Sequence, residues 1–150
     1  MTPGRSPRVR RLALGLILGL ALGVAPAQLA LADVTALDTD YLEMVNSTRE
    51  ARGARPLELS TRLSKLARQH SRSMARTGHL SHSNLAKVLS HVLSVAGENV
   101  GMGASVQQVH EMFLNSPPHR DNLVSGRWKL TGIGVYEKGA RVWITQIFVG

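Results

Sequence analysis

The chain has 150 residues, no cysteine, 43% hydrophobic residues and a formal charge of +8, which suits one packed domain and excludes a disulfide scaffold, a disordered chain and a repeat array. Aromatic residues make up only 4% and do not interleave with the basic ones, so a stacking platform for bases is absent and nucleic acid is not an expected partner.

The first segment reads as an export leader. MTPGRSPRVRR is basic, LALGLILGLALGVA is a continuous apolar run, and Ala30-Leu31-Ala32 is a small-x-small cleavage motif before Asp33. The run is shorter than the roughly 20 residues of a spanning helix, so no stable membrane span is expected after cleavage. No cysteine follows it, which excludes a lipid-anchored leader. Arg10-Arg11 resembles a twin-arginine signal, and a general secretory route explains the segment equally well. The expected division is a signal peptide over 1–32 and a single exported, monomeric domain over 33–150. Of the 18 lysines and arginines the leader carries Arg5, Arg8, Arg10 and Arg11, leaving fourteen against ten acids. A net positive charge of that size favours anionic envelope polymers or lipid headgroups as partners.

Leu37, Tyr41, Met44, Val45 and Thr48 recur at helical spacing until Gly53 and Pro56, predicting a first amphipathic helix. Ser60 caps a second, with Leu63, Leu66, Ala67, His70 and Met74 as its apolar stripe and Gly78 as its left-handed stop. His70 reads as a hydrogen-bonded core histidine. The opposite face carries Arg62, Lys65, Arg68, Arg72 and Arg76, a solvated face whose sharper reading is contact with an anionic surface.

Leu85, Val88, Leu89 and Val92 suggest a short third helix, and Glu98 follows in a glycine-bounded turn before a short strand over Asn99 to Met102. Ser105 with Gln108 forms a capping box for a fourth helix burying Val109, Met112, Phe113 and Ser116, which Pro117-Pro118 must end. Leu130 to Tyr136 and Arg141 to Val149 are strand-like, with Glu137-Lys138-Gly139 as the hairpin turn. Four helices and a small antiparallel sheet of about three strands give an α+β domain with helices packed on the sheet.

Several familiar sites are excluded. His110-Glu111 begins a zinc-protease motif whose second imidazole position is Leu114, the Gly101-Met102-Gly103 turn lacks the last glycine of a dinucleotide loop, and Ser105 lacks the setting of a hydrolase elbow. His82, Glu98 and His119 remain. Two neutral imidazoles and a carboxylate, if they converge, are a reasonable site for zinc or another divalent cation with one position open to water. The alternative from spacing alone is hydrogen-bonded histidines that brace loops.

The series VNSTREARGARPLELSTRLSKLARQHSRSMARTGHLSHSN, AGENVGMG, FLNSPPHRDNL and GIGVYEKGARVWITQIF resembles the CAP superfamily, the SCP-like extracellular domain of cysteine-rich secretory proteins, antigen 5 and plant pathogenesis-related proteins. The resemblance covers nearly the whole chain after the leader and implies an α-β-α sandwich, secretion, and a cleft of two histidines and two acids able to hold a divalent cation. His82, Glu98 and His119 match three of those four. Asn115 or Ser116 stands where the second acid would be, which lowers the negative charge of the cleft and implies weak metal binding. The family's disulfides are absent, in keeping with a bacterial member. No shared reaction defines such domains, which have been connected with lipid binding, with binding to proteins and surfaces, and with proteolysis.

Three readings follow. A non-enzymatic secreted binding module would use the cleft, supported by Asn99, Asn115, Ser116 and Arg120, to hold a divalent metal weakly together with a small ligand, a lipid or an envelope component. A metal-dependent hydrolase would use the same residues, with Glu98 as a ligand or general base. A purely structural triad would pin the loops, with Arg120 and Asn122 orienting them.

Overall fold

A computed structural model of the protein describes residues 34–89 and 95–150, together with Met1. The expected leader with its cleavage motif, and Val92 of the third helix, lie outside the described residues. No helix among the described residues is long and apolar enough to cross a membrane.

The elements run α1 (Ala36–Glu50), β1 (Glu58–Leu59), α2 (Thr61–Thr77), α3 (Leu85–Leu89), β2 (Ala96–Gly103), α4 (Val106–Asn115), α5 (Pro117–Val124), β3 (Leu130–Lys138) and β4 (Arg141–Val149). The local signals act as their chemistry requires. Thr35 and Asp38 form a reciprocal capping box on α1, the Ser60 side chain accepts from Leu63 N, and Gly78 closes α2 at φ 75°. Ser105 accepts from Gln108 N, while the Gln108 side chain reaches one residue further back, to Ala104 N.

The sheet has four strands in the order β1-β3-β4-β2. This corrects the expected three antiparallel strands, because the two-residue β1 pairs parallel to β3. The hairpin turn is Gly139-Ala140, starting two residues later and ending one later than expected: Glu137 and Lys138 stay in β3, paired with Val142 and Arg141, and Gly139 takes the positive φ of 60°.

The sheet divides the core into two. On one face Ile133, Val135, Ile144 and Phe148 pack with Tyr41 and Val45 of α1, Val109 and Phe113 of α4, and Leu123 of α5. On the other, Ile147 and Val149 meet Leu63 and Ala67 of α2, and Val100 and Trp143 meet Met74 and Ala75. Helices cover both faces, so β4 is buried from Val142 to Val149 and reads as a nearly unbroken apolar run. The α2 backbone lies directly on β3, and a Cβ at Gly134 would fall inside Ala67 and Arg68.

Two expectations about α4 change. Met112 is 49% exposed, and the fourth inward position belongs to His110, 4% exposed. The prolines do end α4 at Asn115, but they also start α5, since proline suits the first turn of a helix, where amides lack partners anyway. Arg68 is not a solvated cation either. It crosses to the buried Asp38 carboxylate and to Val135 O at 2.8 Å, joining α2 to α1 and β3. His70 is half-buried rather than in the core, with Nε2 2.6 Å from Ser81 O.

Candidate functional site

The site gathers where the loop after α2, strand β2 and the first turn of α5 meet. Glu98 sits within β2, paired with Ile147, and not in a turn. Its side chain is therefore fixed by the sheet. It is 8% exposed, and both carboxylate oxygens are engaged: Oε1 accepts from His82 Nδ1 and Ser83 N, each at 2.8 Å, and Oε2 accepts from Ser83 Oγ. Ser83 was not singled out in the sequence. The signal that marks it is a hydroxyl next to His82 in LSHSN, able to satisfy an acid from side chain and backbone together.

A carboxylate can only accept, so His82 Nδ1 carries a proton and Nε2 is the ring nitrogen turned away from Glu98. The ring is exposed, with 61% of its side chain accessible. Carboxylate, imidazole and an open nitrogen in series form the arrangement that orients a metal-binding or basic histidine.

His119 is the third residue of α5. Pro117 and Pro118 occupy the two positions before it and offer no amide to Ser116, whose side chain makes no cap bond and lies 2.9 Å from His119 Nδ1 instead. The ring leans on Phe113, centroids 5.0 Å apart at 40°. Burial, and then the neighbouring charge of His82, hold the His119 pKa below its ordinary value and keep the ring neutral near pH 7. His119 Nε2 has no hydrogen-bond partner among the described residues.

Polar side chains join α5 to β2. Asn99, fully buried, donates to His119 O at 3.0 Å and accepts from Asn122 at 3.0 Å, and Asn122 also reaches Glu98 O at 3.4 Å. Arg120 donates to Leu114 O at 3.4 Å, bracing the α4–α5 corner, while Asn115 is exposed at the end of α4. Thus His82 and Glu98 touch, and His119 stands near enough to feel His82 through charge. No three His, Cys, Asp or Glu side chains among the described residues are grouped closely enough to hold a metal ion. With three hydrogen bonds already on the Glu98 carboxylate and Ser116 neutral, the two imidazoles are the less encumbered donors for a cation.

The family model of cysteine-rich secretory proteins, CAP, matches residues 42–148. The chain belongs to that family. An uncharacterized protein of Bacillus subtilis, YkwD, is 29% identical over 126 residues, covering 78% of this chain and 48% of YkwD, so this CAP chain spans about half the length of that relative. Among solved structures, an extracellular SCP-domain protein of Bacillus anthracis superposes with a TM-score of 0.65 at 24% identity, covering 74% of this chain and 39% of its own. An outer surface protein of Borrelia burgdorferi gives a TM-score of 0.68 at 15% identity, covering 74% and 90%. At these identities the likeness is one of fold. The CAP fold here forms without a cysteine, its sandwich held by packing and buried hydrogen bonds.

Proposed function

We propose that this CAP domain is an exported, non-enzymatic binding module whose cleft, built on His82, Glu98 and His119, holds a divalent cation weakly beside a small ligand, a lipid or an envelope component. One observation carries the reading: the Glu98 carboxylate accepts three hydrogen bonds from His82 and Ser83, so it orients an imidazole, and work as a general base or a third metal ligand would compete with bonds it already makes. Zinc is the cation best suited to imidazole donors, and two neutral nitrogens without an acid bind it less tightly than a closed four-ligand site. Export rests on the basic and apolar opening segment. The printed descriptions of two fold relatives, one extracellular and one at an outer surface, point the same way.

Zinc titration by calorimetry on the full chain tests the cleft. Binding should be lost in His82→Ala and in His119→Ala, and weakened about tenfold in Glu98→Gln, which removes the orienting carboxylate but keeps the shape. Binding that survives both histidine changes, or no binding at all, would sink the metal part of the reading.

The same carboxylate–imidazole pair favours a second reading, hydrolysis, because it holds the His82 ring in one orientation with Nε2 turned away from Glu98. A peptide or ester turnover abolished by chelator and by His82→Ala would replace the binding-module reading.

A further inference from the structure

We infer that the outer face of α2 is a binding site for a linear phosphate-bearing polyanion, separate from the cleft. Arg62, Lys65, Gln69, Arg72 and Arg76 follow one another at spacings of three and four residues, and all five are exposed. They form a single straight row about 21 Å long at the helical rise. Within Thr61–Thr77 there are five basic residues and no acid.

A helix gains nothing by itself from that pattern. Arg62 with Lys65 and Arg72 with Arg76 are like charges at neighbouring positions, which repel, and Arg62 stands in the first turn, where the helix dipole favours an acid. A local conflict of this kind marks a functional surface better than a stabilising one.

The row also borders a groove. A cavity of about 250 Å³ lies between α2 and β3, lined by Lys65, Arg68, Gln69, Arg72 and Tyr136. Arg68 forms its fixed floor, held by Asp38, Thr35 and Val135. Of the acids on the adjoining elements, Asp38 of α1 is buried and committed to Arg68, while Glu137 beyond Tyr136, Glu58 of β1 and Asp40, Glu43 and Glu50 of α1 are exposed. At the far end Lys138 Nζ reaches Ala75 O, adding a cation beside Arg76.

Two features narrow the partner. The exposed large apolar residues among those described are Met1, Leu80, Val95 and Met112, none of them on α2, so the row has nothing to insert into a bilayer and suits a soluble chain. Three of the four exposed cations are arginines, whose forks grip tetrahedral phosphate from several sides, while a carboxylate offers one edge.

The test is binding of long-chain inorganic polyphosphate to the full chain, followed by fluorescence anisotropy at about 0.1 M salt. Replacing Arg62, Lys65, Arg72 and Arg76 together by Gln should weaken binding about tenfold or more and flatten its salt dependence. Replacing four exposed cations elsewhere, Arg52, Arg55, Arg127 and Lys129, by Gln should change it less than about twofold. The arginine-to-lysine triple variant at 62, 72 and 76 should fall between, because it keeps charge and loses the forks. Equal losses in the two quadruple variants would reduce the effect to overall charge. Polyglutamate bound as tightly as polyphosphate, or tighter row-dependent binding to phosphatidylglycerol vesicles, would assign the face to another partner, and either result overturns the proposal.

Discussion

Two buried polar clusters in this CAP domain handle charge in opposite ways. Around Glu98 both carboxylate oxygens are hydrogen-bonded and the charge is used at the surface, where it fixes the exposed His82 ring. Around Arg49 the guanidinium is fully buried without a carboxylate. It is met by three carbonyls, those of Arg55 at 2.8 Å, Leu123 at 2.7 Å and Ser125 at 3.1 Å, and its Nη2 has no partner. The first cluster organises a site and the second organises the fold, gathering the end of α1, the following loop and the end of α5. The helix that carries His119 at its start is thus held at its finish by Arg49.

The largest expected effect comes from breaking the second cluster. Arg49→Met keeps much of the volume but strands three carbonyls, and should cost about 3–5 kcal/mol in urea unfolding. The unpaired Nη2 and the burial that lowers the Arg49 pKa work against that figure, since a buried charge is expensive to hold. A loss under about 1 kcal/mol would mean that methionine packing replaces the guanidinium at no net loss, and Arg49 would no longer be the brace described.

Neither cluster was equally visible in the sequence. Glu98 and His82 stand out as residue types, yet the strand that carries Glu98 depends on β4 at the far end of the chain, and glycines on both sides of the acid imitate a turn. Arg49 looks like any charged residue near a helix end, because its acceptors are backbone carbonyls that no residue letter records. The helix caps Ser60, Gly78 and Ser105 were legible, since each acts within a turn of itself. Strand β1 was not, because two residues have no periodicity and their partner lies in β3. Helix α5 was hidden by the prolines that start it, whose letters mark a stop and a start alike.

Breaking the first cluster should cost less in stability. Glu98→Gln keeps the shape and one acceptor but sets an amide nitrogen against donors, so about 1–3 kcal/mol should be lost in the same unfolding experiment. Ser83→Ala, which leaves the Ser83 amide in place, should lose less than Glu98→Gln. A Glu98→Gln loss as large as that of Arg49→Met would make Glu98 a fold brace as well and remove the contrast between the clusters.

The smallest effect is pH-dependent and belongs to the buried side. His110 lies edge-on to Tyr41, with ring centroids 5.8 Å apart, and its Nε2 is 2.8 Å from Thr48 Oγ1 while Nδ1 has no partner. Burial first, and then the charge of Arg52, hold its pKa below the ordinary 6.5. Below that ordinary value the unfolded chain takes up a proton that the folded ring refuses, so stability present above it is lost as the pH falls through the folded value. The melting temperature should therefore drop between about pH 7.5 and pH 5.5, and His110→Gln should flatten the drop. His119 is shifted the same way and adds to the slope, so His119→Gln is the parallel measurement. The more deeply buried His110 should account for the larger share. If His119→Gln flattens the profile more, the cleft and not the buried face sets the acid sensitivity of the domain.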